Sequence, residues 1–511
     1  MFFATAFERE ARAFSGFYVA GADAHPVNNA TQVVLMRDGT RTVLSMQNDY
    51  QGPPESFAMI VPVPVVLQKE NVRTLPRDIF ARVDQLTAPR LVEYWEADPC
   101  APSTTDSDNE DSKAPTSPVT MATAGAPVDH HVRVEAQFAV GEYDIVILSA
   151  ADSLGLDAWL KQHGYRMPDG AEPYLRPYVQ AGSKFFVAKV DIDKVRYEGG
   201  VATLSPLRFY YDSDSFTLPV RLGLLSSAGV QDLIIEILAR SRRYEVANYT
   251  NVIVPTNIEV ADKVRGSFGA FYAALFDKTL ATSPRTVVTE YAWSAASCDP
   301  CPTPSLEDAE LALLGADVIT KPDAGVEASP QKASPLAVSV ANVPSDFVVT
   351  RLHARYAKDG LGEDLVFRAA PPIEGGREYG AGHEAAILAT GQDSTFQARY
   401  VIRHAWEGAI ACEAPQLGVW GGPPMQFAGP RVESARDLAF APRGGVVLAS
   451  LVTDDVPQIG LKGAAPKNRR EWHPSKMARL RDARVALAAG LAFGVLAVIL
   501  LVLRERRRPF G

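Results

Sequence analysis

The chain has 511 residues, of which 47% are hydrophobic and 22% are charged, and these proportions are typical of globular proteins. The net charge of -9 argues against a duplex nucleic-acid partner, which requires a basic surface facing the phosphates. Four cysteines are too few for a small disulfide-dense scaffold, but they are sufficient for two disulfides in a large domain.

The N-terminal residues 1–14 carry only part of an export signal. Glu8, Arg9 and Glu10 interrupt the apolar run that a signal peptide requires. The stretch Ala11–Ala13 nevertheless has the A-x-A pattern of a cleavage site. We interpret the segment as a degraded or mis-set signal region, and an ordinary helical start is the alternative.

The chain then becomes β-rich, beginning with a hairpin. Residues 31–50 comprise two β-rich runs around Asp38 and Gly39, a dipeptide that accepts positive φ. Residues 57–66 are predicted to form an apolar strand. Because Pro62 cannot donate to a β-ladder, this strand is expected at an edge or bulged position.

Helical spacing is found at four points between the strands. Short helices are predicted after Pro76 and from Ser153, and a longer amphipathic helix is predicted over 264–280. A fourth is predicted from Ser305 to Gly315, because its first residues, Ser-Leu-Glu-Asp, resemble a capping box. Long strand runs with few helices between them predict an α+β fold that is predominantly antiparallel β.

Low-complexity stretches divide the chain. The first, residues 101–129, is acidic and contains prolines. It lacks the mid-loop glycine and the terminal glutamate of an EF-hand calcium site, so we interpret it as a disordered, solvated linker. The predicted organisation, in chain order, is a signal region (1–14), a first β-rich section (15–100 and 130–320) interrupted by that linker (101–129), a second linker (321–345), a second β-rich section (346–460), a basic stalk (461–484), a transmembrane helix (485–503) and a cytoplasmic tail (504–511).

The membrane span is predicted from the apolar run between Val485 and Leu503. Its 19 residues contain no charge and would extend about 28 Å as a helix, close to the roughly 30 Å core of a bilayer. Arginines flank the run on both sides, so charge alone leaves its direction undecided. Gly490 and Gly494 form a G-x-x-x-G pair, which allows two such helices to approach closely in a helix-mediated homodimer, although glycine is common in membrane helices without dimerisation.

Cys298 and Cys301 form a C-x-x-C motif whose spacing suits a redox dithiol, half of a zinc site or a disulfide. A redox dithiol favours a helix N-terminus, but prolines follow this motif directly and predict an extended segment. Zinc requires two further close ligands, whereas Cys100 and Cys412 are isolated. We therefore favour disulfides, and the residues leave open whether Cys298 pairs with Cys301 or with a distant cysteine.

Other signatures of chemistry are missing from the sequence. It contains no G-x-S-x-G, H-E-x-x-H, P-loop or G-x-G-x-x-G motif. The histidines, including His404, are scattered, and the aromatic run Phe209–Tyr211 is interpreted as part of a sheet face. No catalytic, cofactor-binding or metal-binding residue is predicted, and no cofactor.

Several stretches resemble the bacterial domain-of-unknown-function 2330 family, among them "RYEVANYTNVIVPTN", "TEYAWSAASCDPCP" and "VTRLHARY". The resemblance covers most of residues 15–420. It implies an envelope protein made with a signal peptide, often with a C-terminal membrane segment, and it implies no assigned activity. Family members often carry a cysteine where this chain has Ser15. The resemblance also favours an orientation in which the bulk of the chain faces outward.

These observations together predict a single-pass, membrane-anchored extracytoplasmic protein. We expect a non-catalytic binding or structural module of the cell envelope, whose partner is the lipid bilayer. The alternatives are a thiol-disulfide oxidoreductase that uses Cys298 and Cys301, and an unrecognised hydrolase. A cytoplasm-facing protein with reduced cysteines is a further alternative.

Overall fold

The computed structural model describes most of the chain up to residue 464. The described residues are 17–18, 30–47, 58–100, 132–165, 167, 170–198, 201–225, 231–319, 346–356, 361–379, 383–384, 393–423, 431–434 and 444–464. The predicted membrane span, with Val485, Gly490, Gly494 and Leu503, lies outside them. Within these ranges, no helix is long and apolar enough to cross a bilayer.

The chain alternates many short strands with few helices. The strands are β1 (Phe17–Tyr18), β2 (Ala30–Asp38), β3 (Arg41–Met46), β4 (Ala58–Val63), β5 (Val72–Thr74), β6 (Arg90–Glu96), β7 (Val132–Val140), β8 (Tyr143–Ala150), β9 (Lys184–Val190), β10 (Arg196–Glu198), β11 (Val201–Thr203), β12 (Leu207–Asp212), β13 (Thr217–Leu218), β14 (Gln231–Arg240), β15 (Arg243–Val246), β16 (Thr250–Ile253), β17 (Ile258–Glu259), β18 (Thr286–Ser294), β19 (Phe347–Tyr356), β20 (Leu365–Ala370), β21 (Glu374–Gly375), β22 (Glu378–Tyr379), β23 (His383–Glu384), β24 (Thr395–Gln397), β25 (Arg399–His404), β26 (Trp420–Gly421) and β27 (Arg431–Ser434). The α-helices are α1 (Asp78–Thr87), α2 (Ser153–Gln162), α3 (Glu172–Gln180), α4 (Phe268–Thr282), α5 (Asp308–Leu311) and α6 (Asp317–Ile319).

Ten strands form a central sheet, in the order β21-β24-β18-β19-β14-β2-β3-β12-β5 with β16 beside β18. The predicted hairpin is confirmed as β2 and β3, and Gly39 in its turn has φ 55°. β19 follows the second predicted linker in the chain, yet it lies between β14 and β18 and pairs antiparallel with both. Segments from before and after that linker therefore complete one sheet.

A five-stranded outer sheet, in the order β1-β4-β9-β8-β7, packs on the central sheet. Leu35, Ile235 and Leu352 of the central sheet share a buried core with Ile145 and Phe186 of the outer sheet. Helices α2 and α3 cover the other face of the outer sheet, while α1 and α4 cover the other face of the central sheet. The fold is thus a mixed α+β arrangement of four layers, and most of its strand pairs are antiparallel.

A flanking sheet lies beside α4. Strands β17, β25 and β6 run parallel in it, and β26 and β27 add to β6 in the antiparallel sense. Aromatic rings join it to the helix, with the ring centroids of Phe271 and Tyr400 5.4 Å apart. The remaining described pairings are short: β10 with β11, β22 with β23, and β20 with β13 and β15.

The helices predicted after Pro76 and over 264–280 are confirmed as α1 and α4. The strand predicted at 57–66 is β4, which lies one strand in from the edge of the outer sheet. Pro62 pairs with Phe185 of β9, and the two-residue β1 reaches only the first half of β4 on its other side.

The helix predicted from Ser305 to Gly315 is wrong at both ends. It begins at Asp308, because Glu307 is the N-cap and its backbone N–H donates to Oε2 of Glu310 at 2.8 Å. This acidic capping box displaces the serine one that the sequence suggested. Helical turns also continue past Gly315, where the backbone kinks with φ 141° and leads into α6.

Candidate functional site

The first chemical feature is a disulfide between Cys100 and Cys412. Their Cα atoms are 5.6 Å apart, and 312 residues separate them in the chain. Cys100 follows β6 and Cys412 follows β25, and these strands are parallel neighbours in the flanking sheet. Because parallel strands end at the same edge of a sheet, the disulfide joins the two segments that leave that edge.

The second is a disulfide between Cys298 and Cys301, whose Cα atoms are 5.0 Å apart. It closes a short loop after β18, which ends at Ser294. Cys301 is exposed, whereas Cys298 is half-buried against the apolar core that α1 shares with the central sheet. The two sulfur atoms of this disulfide therefore differ in their accessibility.

A buried arginine supports this loop from below. Arg90, at the start of β6, has no exposed surface and donates from Nη1 to the carbonyl oxygen of Pro300 at 2.9 Å and from Nη2 to that of Leu86 at 2.6 Å. Its guanidinium carbon lies 5.4 Å from the ring centroid of Tyr291. Burial lowers the pKa of Arg90 to about 10, so it remains a cation at neutral pH.

Two further side chains fix the same loop. Arg82 of α1 donates from Nη2 to the carbonyl oxygens of Pro304 and Ser305 at 2.6 and 2.7 Å. Gln397 of β24 donates from Nε2 to the carbonyl oxygen of Asp299. Side chains from a helix and two sheets thus hold the loop, in addition to its disulfide.

The third feature is a network of charged side chains enclosed between the central sheet and helices α1 and α4. At its centre is Arg351 of β19, which has no exposed surface. It donates from Nε to Glu290 at 2.7 Å and from Nη1 to Asp84 at 2.7 Å and to Glu236 at 3.1 Å. These carboxylates come from β18, α1 and β14, so one cation connects three elements of the fold.

His353 extends the network along β19. Its Nδ1 lies 2.7 Å from Glu290 Oε1 and its Nε2 lies 3.2 Å from Asp232 Oδ1, while its ring stacks on Phe276 of α4 with centroids 3.7 Å apart. Burial disfavours the imidazolium, but Glu290 and Asp232 outweigh it and raise the pKa of His353. Both ring nitrogens can then donate to carboxylates.

The two buried glutamates of the network titrate in opposite directions. Burial would raise the pKa of Glu290, but His353, Arg351 and the hydroxyl of Tyr272, which donates to Oε1 at 2.6 Å, lower it to about 2. Burial raises the pKa of Glu236 to about 8, because the attraction of Arg351 only partly offsets the loss of solvation. At neutral pH Glu290 is therefore ionised and Glu236 holds a proton.

The network is most exposed at its α4 end. There Arg355 donates from Nε to Asp232 at 2.9 Å and also pairs with Asp277, which is 37% exposed. No group of three or more His, Cys, Asp or Glu side chains in the described ranges is arranged to hold a metal ion. Because its central members are shielded from solvent, the network suits the fixing of α1 and α4 on the sheet rather than contact with a substrate.

The structure also places His404 and the aromatic run Phe209–Tyr211, which the sequence analysis named, in contacts within the fold. Nε2 of His404 lies 2.9 Å from Oε2 of Glu93, which also accepts from Nε of Arg265 at 2.9 Å. The aromatic run Phe209–Tyr211 belongs to β12, and the rings of Phe209 and Tyr211 are buried in the core between the sheets.

Sequence reasoning missed the network and the arginine below the 298–301 loop. The only local signal is a charged residue inside an apolar strand pattern, as at Glu236 in "LIIEIL", Glu290 in "VVTEYAW" and Arg351 in "VVTRLH". Such a residue is expected to be paired, since an unpaired buried charge is costly. The partners are far away in the chain, so spacing does not identify them.

Comparison with known proteins identifies a family for most of the chain. Residues 9–368 match a family model described as an uncharacterized protein conserved in bacteria (DUF2330). No curated protein and no solved structure matches the chain significantly. The matched range includes the 298–301 loop and every residue named above in the buried network.

Proposed function

Because the chain belongs to the DUF2330 family of uncharacterised bacterial proteins, we propose that it is a membrane-tethered module of the cell envelope. Its folded region stands outside the cytoplasm and has a structural or binding role. The C-terminal run at 485–503 anchors it in the lipid bilayer, and the basic residues at 461–484 connect the two parts.

The observation that carries this proposal is the pairing of all four cysteines. Disulfides persist in oxidising compartments outside the cytoplasm and are rare inside it, where thiol reductants keep cysteines reduced. The Cys100–Cys412 bridge joins segments 312 residues apart. A bridge of that span constrains the unfolded chain strongly and therefore stabilises the folded state.

The buried ion network supports a structural role for the folded region. Arg351 and His353 contact residues of α1, α4 and the neighbouring strands. Groups used in this way hold elements in one arrangement, and their low exposure keeps them from external ligands. A rigid body on a membrane tether suits the presentation of a surface to other envelope components.

Topology is tested by labelling introduced cysteines in bacterial spheroplasts with a membrane-impermeant maleimide. Lys161, whose side chain is 50% exposed, is changed to Cys to report on the folded region, and Arg508→Cys reports on the tail. We expect Lys161→Cys to be labelled in intact spheroplasts and Arg508→Cys only after lysis. The reverse pattern, or four free thiols in the native protein, would refute the proposal.

A further inference from the structure

We propose that the Cys298–Cys301 disulfide is a thiol-exchange centre that reacts reversibly with dithiols, while the Cys100–Cys412 disulfide is structural. This inference goes beyond a non-catalytic envelope role. It rests on three features of the 298–301 loop: the unequal exposure of its sulfur atoms, the cation beneath it, and its anchoring by residues other than the disulfide.

The unequal exposure assigns the two sulfur atoms different parts in the reaction. Cys301 is exposed, so an external thiolate can approach its sulfur. Cys298 is half-buried against the apolar core that includes Leu306 and Trp293. Exchange therefore begins at Cys301, and the sulfur of Cys298 is the leaving group.

Arg90 supplies the positive charge that such a leaving group needs. Its hydrogen bonds to the carbonyl oxygens of Pro300 and Leu86 go to neutral acceptors, and its ring contact is with Tyr291. Pro300 lies between the two cysteines in the four-residue loop, so the guanidinium contacts the backbone of that loop. A nearby cation stabilises a thiolate and speeds its departure.

This cation replaces the helix N-terminus that many C-x-x-C sites use. The sequence correctly predicted that no helix begins at the cysteines, since α5 begins at Asp308. It gave no sign of Arg90, which precedes the motif by more than 200 residues. The prolines therefore exclude stabilisation of a thiolate by a helix N-terminus, but they do not exclude stabilisation by a charged side chain that is distant in the sequence.

The loop keeps its anchors when its disulfide opens. Gln397 donates to the carbonyl oxygen of Asp299, and Arg82 donates to those of Pro304 and Ser305. Arg377 also lies 3.8 Å from the carboxylate of Asp299. These contacts keep the two thiols close together, so the disulfide can form again.

The exchange is balanced with a dithiol as the co-reactant. One thiolate of the dithiol attacks Sγ of Cys301, the Cys298–Cys301 bond breaks, and its electron pair goes to Cys298 as a thiolate that then takes a proton. The second thiolate of the dithiol attacks the mixed disulfide and releases Cys301. The dithiol is oxidised to a disulfide and the loop is reduced by two electrons, and the reverse sequence oxidises a dithiol partner.

The test uses the full-length, detergent-solubilised protein and dithiothreitol as the dithiol. Alkylation of the released thiols followed by mass spectrometry measures the opening rate of each disulfide, so Cys100–Cys412 serves as a control within the same molecule. We expect Cys298–Cys301 to open at least tenfold faster. Arg90→Met should slow this opening at least threefold, whereas Arg368→Met, at an exposed arginine paired with Glu245, should leave it unchanged.

A second measurement does not require a substitution at the buried arginine. In Cys301→Ser, the rate of alkylation of Cys298 as a function of pH gives the pKa of its thiol. We expect a value below about 7.5, compared with about 8.5 for an ordinary cysteine. A value at or above 8.5, or equal opening rates for the two disulfides, would overturn the proposal.

Discussion

Replacement of Arg351 by Met tests whether the buried network holds the helices on the central sheet. The substitution removes the cation while keeping an unbranched side chain of similar length. At neutral pH Glu236 is protonated, so the loss falls mainly on the ionised Glu290 and on Asp84, at 2.7 Å each. Removing one partner of a buried ion pair costs about 3–5 kcal/mol, and because Arg351 contacts both Glu290 and Asp84, we expect a loss of about 5 kcal/mol.

The loss should also depend on pH in a defined direction. Without Arg351, the pKa of Glu290 in the folded protein is higher, because one of the cations that favour its ionised form is gone. Protonation then relieves the buried charge. The stability difference between the wild type and the variant is therefore largest near pH 7 and shrinks towards pH 4.

The assay is urea unfolding of the full-length protein in detergent, followed by tryptophan fluorescence with both disulfides intact. Arg355→Met is the matched control, because Arg355 lies on the same strand face but is 17% exposed and pairs with the partly exposed Asp277. We expect a smaller loss for this control, because its pair with Asp277 is partly exposed and Asp232 keeps its contact with His353. Equal losses in the two variants, or a loss for Arg351→Met that does not change with pH, would refute the reasoning.

Three further predictions concern other parts of the fold. Between pH 5 and 8 the folded protein retains a proton on Glu236 that the unfolded chain loses, so the free energy of unfolding falls as pH rises. Glu236→Gln should remove this decrease. If urea unfolding at several pH values shows the same decrease in the variant, the assignment to Glu236 is wrong. Gly315→Ala should cost about 2 kcal/mol or more in thermal unfolding, because φ is 141° and a Cβ atom would lie 2.8 Å from Cγ2 of Val43; an unchanged Tm would show that the kink is not required. Replacing Cys100 and Cys412 together by Ser should cost about 5 kcal/mol in urea unfolding, since the bridge spans 312 residues; a loss below about 2 kcal/mol would exclude a major structural role for it.

Local patterns predicted the elements that local interactions determine. The hairpin around Gly39 depends on one turn residue with positive φ, and the helix after Pro76 depends on apolar spacing within ten residues. Both signals lie inside the element that they specify. The same reasoning failed at Ser305, because its carbonyl oxygen is taken by the distant Arg82 and the better cap is Glu307.

The candidate site was less predictable because its parts are distant in the chain. Asp84, Glu236, Glu290 and Arg351 lie in four separate elements, and nothing in the local sequence states that they meet. Cysteine pairing had the same difficulty, since four cysteines allow three connectivities. The deciding information is the strand order, which places β19 between β14 and β18.

That strand order also has a consequence for the synthesis of the chain. β14 and β18 are made long before β19, and each has an open edge towards the position of β19 until residues 347–356 emerge. Open edges pair readily with other chains, so an early product is prone to aggregate. The central sheet is therefore complete only after β19 has been made, although β14 and β18 on either side of it precede it in the chain.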